Sequence, residues 1–124
     1  MKLFSSSEAN RMIPIVRPKL ERLRYLHIQI EEMSEDARAA AAASESGGGM
    51  ALGPTYVAVL YETGSVVEEL NEIGIHLKDR SRGLIDFPSL RDGRIVFLCW
   101  QLGEPDTVEW WHETEAGFAG RQRL

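Results

Sequence analysis

The chain carries a single cysteine, Cys99, which excludes an intramolecular disulfide. A cysteine-based zinc site needs several thiolates and is excluded with it. Cys99 lies between Leu98 and Trp100 in an apolar run, so it reads as a buried structural thiol rather than a nucleophile. No stretch approaches the ~18–20 consecutive apolar residues of a membrane span, so no membrane partner is expected. The N-terminus lacks the apolar core of a signal peptide, and Pro14 and nearby charges interrupt what apolar residues it has. A cytoplasmic location is the default expectation. A basic excess is missing too. Residues 1–46 hold seven basic and seven acidic side chains, residues 47–124 seven basic and twelve acidic, and the net charge is -5. Phosphate backbones favour basic faces, so nucleic acid is not an expected partner. The short run Arg11, Arg17, Lys19, Arg22 and Arg24 is interrupted by Pro14, Pro18 and Glu21, and reads as a solvated helix face. No Ser-His-Asp order, phosphate loop or dinucleotide fingerprint occurs.

What is present is a change of rhythm. Ser5-Ser6-Ser7-Glu8 has the form of a helix start, with Ser5 and Glu8 placed to cap each other's backbone. Apolar residues then recur at Ile13, Val16, Leu20, Leu23, Ile30 and Met33, in the threes and fours of a coiled-coil seam. Pro14 and Pro18 predict a short first helix or turn, a bend near 13–18, and a straight helix from about 18 to 45. A second helix is expected from about 54 to 73, started by Pro54 and ended by Gly74. Beyond Gly74 the period is two. Strands are expected at Ile75–Lys78, Leu84–Phe87, Arg94–Leu102 and Thr107–Glu113, with turns at Asp92-Gly93 and Gly103–Asp106.

The expected fold is therefore α+β, a long antiparallel helical hairpin packed on a small antiparallel sheet of three or four strands. In one domain of 124 residues, 1–74 would form the hairpin, with a flexible tip near 44–53, and 75–124 a β meander with a C-terminal tail. The apolar seam is longer than so small a sheet can cover, which predicts association as a homodimer through the helices. Trp110 and Trp111 must face opposite sides of their strand, one towards the core and one towards solvent or an interface.

The motifs E-A-N-R-M-I-P (8–14), G-L-I-D-F-P (83–88), L-C-W-Q-L-G-E (98–104), W-H-E (111–113) and G-F-A-G-R (117–121) resemble those of a family of small bacterial proteins classed as a domain of unknown function. Some members carry a cell-division label. The resemblance spans nearly the whole chain, is most specific over 78–121, and implies no activity.

Two clusters carry candidate chemistry. Asp79, Asp86, His112 and Glu113, with Glu104 nearby in sequence, offer imidazole and carboxylate donors suited to a divalent metal ion or to acid–base catalysis. A regular strand points His112 and Glu113 to opposite faces, so sharing one ion would need a bulge or strong twist. The other outcome is a structural polar network, with Glu113 tying down Arg121. In the tail, Gly117, Gly120 and Arg121 could form an anion-binding nest, or a tight turn plugged by Phe118. A further pairing, His27 with Glu31 opposite Glu68 and Glu72, follows if the hairpin folds about Gly49. An interaction protein acting as a homodimer is the favoured reading. A metal-binding protein or metal-dependent enzyme is the alternative.

Overall fold

The computed structural model describes residues 1–43 and 53–124. The expected tip near 44–53 lies almost wholly outside them. Helix α1 runs Ser6–Ala43 and α2 Gly53–Ile73. They are followed by strands β1 His76–Asp79, β2 Leu84–Arg91, β3 Arg94–Gln101, β4 Trp110–Glu113 and β5 Gln122–Arg123. The strands form one antiparallel sheet in sequence order, with the helices packed on one face.

The helix ends follow local chemistry. Ser5 Oγ accepts from the Glu8 N–H at 3.1 Å, and Glu8 Oε1 accepts from the Ser5 N–H at 3.2 Å. These bonds hold the Glu8 carboxyl below its ordinary range. At the end of α2, Gly74 sits at φ 98°. Its N–H reaches the Asn71 carbonyl, and the Ile75 N–H reaches that of Leu70, both at 3.0 Å, the double closure of a Schellman motif.

The bend expected at the prolines does not divide the helix. Pro14 and Pro18 are one turn apart on the solvent face of a continuous α1, while Ile13, Val16 and Leu20 point into the core. Water can reach the carbonyls that the missing donors leave free, and burial of the opposite stripe keeps the helix together. The register of the hairpin also differs from a fold about Gly49. Lys19 bonds Glu69 at 2.6 Å, Arg22 pairs with Glu62, and Ser34 meets Tyr56 at 3.3 Å. These cross-links set His27 level with the segment around Val59 and Thr63, away from Glu68 and Glu72. His27 bonds Glu31 on its own helix at 3.0 Å.

Pro88 does not close β2, which continues to Arg91. The Pro88 carbonyl accepts from the Phe4 N–H at 2.7 Å, on the edge that short β1 leaves open. In a strand a residue's N–H and C=O point the same way, so the missing N–H of Pro88 also faces that edge and costs β3 no ladder bond. Asp92 (φ 50°) and Gly93 (φ 78°) form the expected two-residue hairpin turn. The core joins Ile13, Val16, Leu20, Leu23 and Leu70 to Phe87, Val96, Leu98, Trp100 and Trp111. Trp111 is in it, whereas Trp110 lies on the other face, half-buried between Arg121 and Arg123.

Gly83 shows how closely the β1–β2 turn approaches the end of β3. It sits at φ 60°, and a Cβ there would come within 2.5 Å of Leu102. Gly83→Ala is therefore expected to destabilise the fold by about 1–3 kcal/mol, read from urea denaturation.

Candidate metal centre

Alternation in β2 and β3 builds this site. Ile85 and Phe87 turn to the helices, so Asp86 between them turns away. Cys99, paired directly with Asp86, shares that outer face, as do Phe97 and its partner His112. Asp86, Cys99 and His112 are 2%, 1% and 2% exposed. An outer sheet face would ordinarily be wet. Here the chain after β4 folds back over it, and Thr114, Gly117 and Phe118 join Lys78 and Leu84 around a pocket of about 250 Å³.

One carboxylate oxygen, one thiol sulfur and one imidazole nitrogen lie within 4.8 Å of one another. His112 Nδ1 is 2.8 Å from the Glu113 carbonyl oxygen, and a carbonyl can only accept, so Nδ1 carries a hydrogen and donates. In a neutral imidazole Nε2 is then a bare acceptor, yet it faces Asp86 Oδ2 at 3.0 Å. A proton between the two completes an imidazolium–carboxylate ion pair, and a metal ion could take the same place.

Burial pushes the Cys99 thiol up to about 12, with the charge of Asp86 adding to the effect and Arg121 opposing it. At pH 8 the thiolate fraction is then about 10⁻⁴, against roughly a quarter for an ordinary cysteine. Cys99 in the folded chain is expected to react with iodoacetamide more than about a thousandfold slower than in the unfolded chain. The sign for stability follows. The unfolded thiol ionises near 9.0 and the folded one near 12, so this contribution is complete below pH 9 and lost between pH 9 and 12.

Arg121 closes one side. Its guanidinium bonds Glu104 at 2.8 Å, comes within 3.9 Å of Cys99 Sγ, and is stacked between Phe118 and Trp110. Arg82 lies on Phe118 and Arg123 on Trp110, so cations and rings alternate along the tail. Arg121→Ala is expected to free this strap and raise the labelling rate of Cys99 by Ellman's reagent at least tenfold, with the fold retained by circular dichroism.

Of the residues proposed from sequence, Asp86 and His112 are brought together. Asp79 Oδ1 instead accepts from Ser81 N at 2.9 Å, Ser81 Oγ at 2.6 Å and Arg82 N at 3.2 Å, bonds that hold its carboxyl below the usual range. Glu113 points the other way from His112 and pairs with Arg94, which likewise lowers it. Glu104, not Glu113, ties down Arg121. Gly117 and Gly120 shape a 3-10 turn in which the Gly120 N–H donates to Gly117 O and the Arg121 N–H to Phe118 O. Cys99, expected from sequence to be a structural thiol with cysteine-based zinc excluded, lies beside Asp86 and His112, because a single thiol can join donors of other kinds. The signal was there: a two-residue turn at Asp92-Gly93 pairs Arg91 with Arg94, and counting back along both strands places Asp86 opposite Cys99.

No curated protein and no solved structure matches the chain. The family model described as uncharacterized conserved protein (DUF2203) matches residues 2–124, which covers the motifs around the Asp86, Cys99 and His112 cluster as well as both helices, and the chain belongs to that family.

Proposed function

We infer that this is a metal-binding protein that holds one divalent ion, zinc above all, on Asp86 Oδ2, Cys99 Sγ and His112 Nε2. The observation that carries this is the convergence of a carboxylate oxygen, a thiol sulfur and an imidazole nitrogen within 4.8 Å of one another in a buried pocket. A ligand imidazole characteristically donates its second N–H to a carbonyl or carboxylate, as Nδ1 does to Glu113. Mixed sulfur, nitrogen and oxygen donors suit zinc. Bond lengths of about 2.0–2.3 Å at a tetrahedral ion put donor atoms roughly 3.3–3.8 Å apart. The His112–Asp86 pair needs to open slightly from 3.0 Å, and the widest separation in the cluster to close from at most 4.8 Å. Three protein donors leave a fourth position for water or a ligand, the arrangement of catalytic rather than structural zinc. Such an ion would displace the Cys99 proton and act as a Lewis acid towards whatever enters the pocket.

The test is zinc content by mass spectrometry after incubation with zinc and gel filtration. Close to one zinc per chain is expected, falling below about 0.1 in His112→Ala and Cys99→Ala. Equal content in these variants would refute the centre.

A second reading concerns the helices. Val57, Leu60 and Tyr61 lie on one side of α2 and are 63%, 43% and 80% exposed, an apolar stripe that supports homodimer formation in a cytoplasmic setting. Tyr61→Glu would then shift sedimentation from dimer towards monomer. A wild-type monomer at micromolar concentration would end this reading.

A further inference from the structure

We propose that the open side of the Asp86–Cys99–His112 centre binds a small anion, a carboxylate or phosphate group that coordinates the metal ion and is held by Lys78. The proposal rests on the metal reading above and adds the class of ligand.

Charge is the first ground. A divalent ion bound by one carboxylate, one thiolate and a neutral imidazole makes a centre with no net charge. The groups around it are then mostly spoken for. Arg121 is paired with Glu104, Glu113 with Arg94, and Asp79 is turned into its own loop. Lys78 lines the same pocket, and among the described residues no carboxylate lies within salt-bridge distance of its ammonium group. With the ion in place the pocket therefore carries one unpaired positive charge.

Position is the second. Lys78 lies two residues along β1 from His76, whose partner is Asp86, and its ammonium group sits over the Phe97 ring, 5.4 Å from the centroid. Phe97 is in turn packed on His112 at 5.5 Å. Lys78 is exposed, and its ammonium group rests over an aromatic face beside the centre. Thr114 adds a hydroxyl on another wall, and Phe118 gives the pocket an apolar side. A volume of about 250 Å³ admits an acetate- or phosphate-sized group with a short substituent and excludes large ligands.

Without the metal, the Asp86–His112 pair with its shared proton offers an anion no open cation beyond Lys78. Binding should therefore require the ion. This dependence separates the proposal from nonspecific attraction to a surface lysine.

The experiment is titration of the cobalt(II)-loaded protein with inorganic phosphate and, in parallel, with acetate, following the visible ligand-field bands of the ion. A saturable change with at least one anion is expected. In Lys78→Gln, cobalt content should stay at one per chain while the anion's dissociation constant rises about tenfold, and metal-free protein should show no heat of binding by calorimetry. Bands unmoved by both anions in fully loaded protein would overturn the proposal and leave the metal centre standing, as would equal affinity in Lys78→Gln. Failure to take up cobalt would overturn both.

Discussion

Asp86→Ala is expected to lower the stability of the metal-free protein by about 2–4 kcal/mol, whereas Asp86→Asn should stay within about 1 kcal/mol of wild type. Both should lose zinc affinity by more than about 100-fold. The contrast follows from the hydrogen bonds. Alanine leaves a cavity and an unpaired Nε2 on a histidine that is 2% exposed. Asparagine brings its own N–H, which can donate to that nitrogen and needs no shared proton. It cannot replace a carboxylate as a metal donor. A purely structural Asp86–His112 pair would make the asparagine variant indistinguishable from wild type in every assay. Zinc affinity is the readout that moves only if the pair is a ligand set, because altering even the partners of a ligand typically costs 10–100-fold. Urea denaturation with chelator present, alongside competition against a chromophoric chelator, measures both effects.

Trp100→Ala is expected to have the largest effect of any substitution on stability, about 3–5 kcal/mol by urea denaturation. Trp100 is fully buried near the end of β3 and shares the core with Ile13, Val16 and Leu20 of α1. Its indole N–H donates to the Pro105 carbonyl at 2.7 Å, and Arg17 covers its ring at 5.5 Å. Arg17 also pairs with Asp106, so one side chain fixes both the helix–sheet contact and the loop before β4. That loop is further held by the Val108 N–H, which donates to Asn10 Oδ1 at 2.7 Å. Trp100→Phe keeps most of the volume and loses the hydrogen bond, and should cost about 1–2 kcal/mol. A similar loss for both variants would place the effect in the loop rather than in packing.

The helices and strands were legible because local patterning and tertiary burial agree there. The Ser5–Glu8 box, the Gly74 stop and the Asp92-Gly93 turn each act within a few residues, and each has its expected form. The prolines misled for the opposite reason. Their local penalty is real, but Ile13, Val16 and Leu20 bury a continuous stripe that outweighs it. At Pro88 the missing donor falls on an edge, which only the pairing of β1 and of Phe4 could reveal. The hairpin register was hidden because the pairs Lys19–Glu69 and Arg22–Glu62, not the centre of the connection, set it.

The site was half legible. Composition nominated Asp79, Asp86, His112 and Glu113, of which only Asp86 and His112 meet, and strand alternation separated His112 from Glu113. The nearness of Cys99 to Asp86 required counting register across a hairpin. The enclosure of the outer sheet face could not be read from periodicity, because it depends on a short tail folding back and on Arg121 reaching Glu104, Phe118 and Trp110 at once.

The most direct measurement is X-ray absorption at the zinc edge of the zinc-loaded protein. One sulfur at about 2.3 Å with two or three nitrogen or oxygen donors at about 2.0–2.1 Å is expected, with the sulfur lost in Cys99→Ser. A shell of nitrogen and oxygen alone in the wild-type protein would contradict a centre built on Asp86, Cys99 and His112.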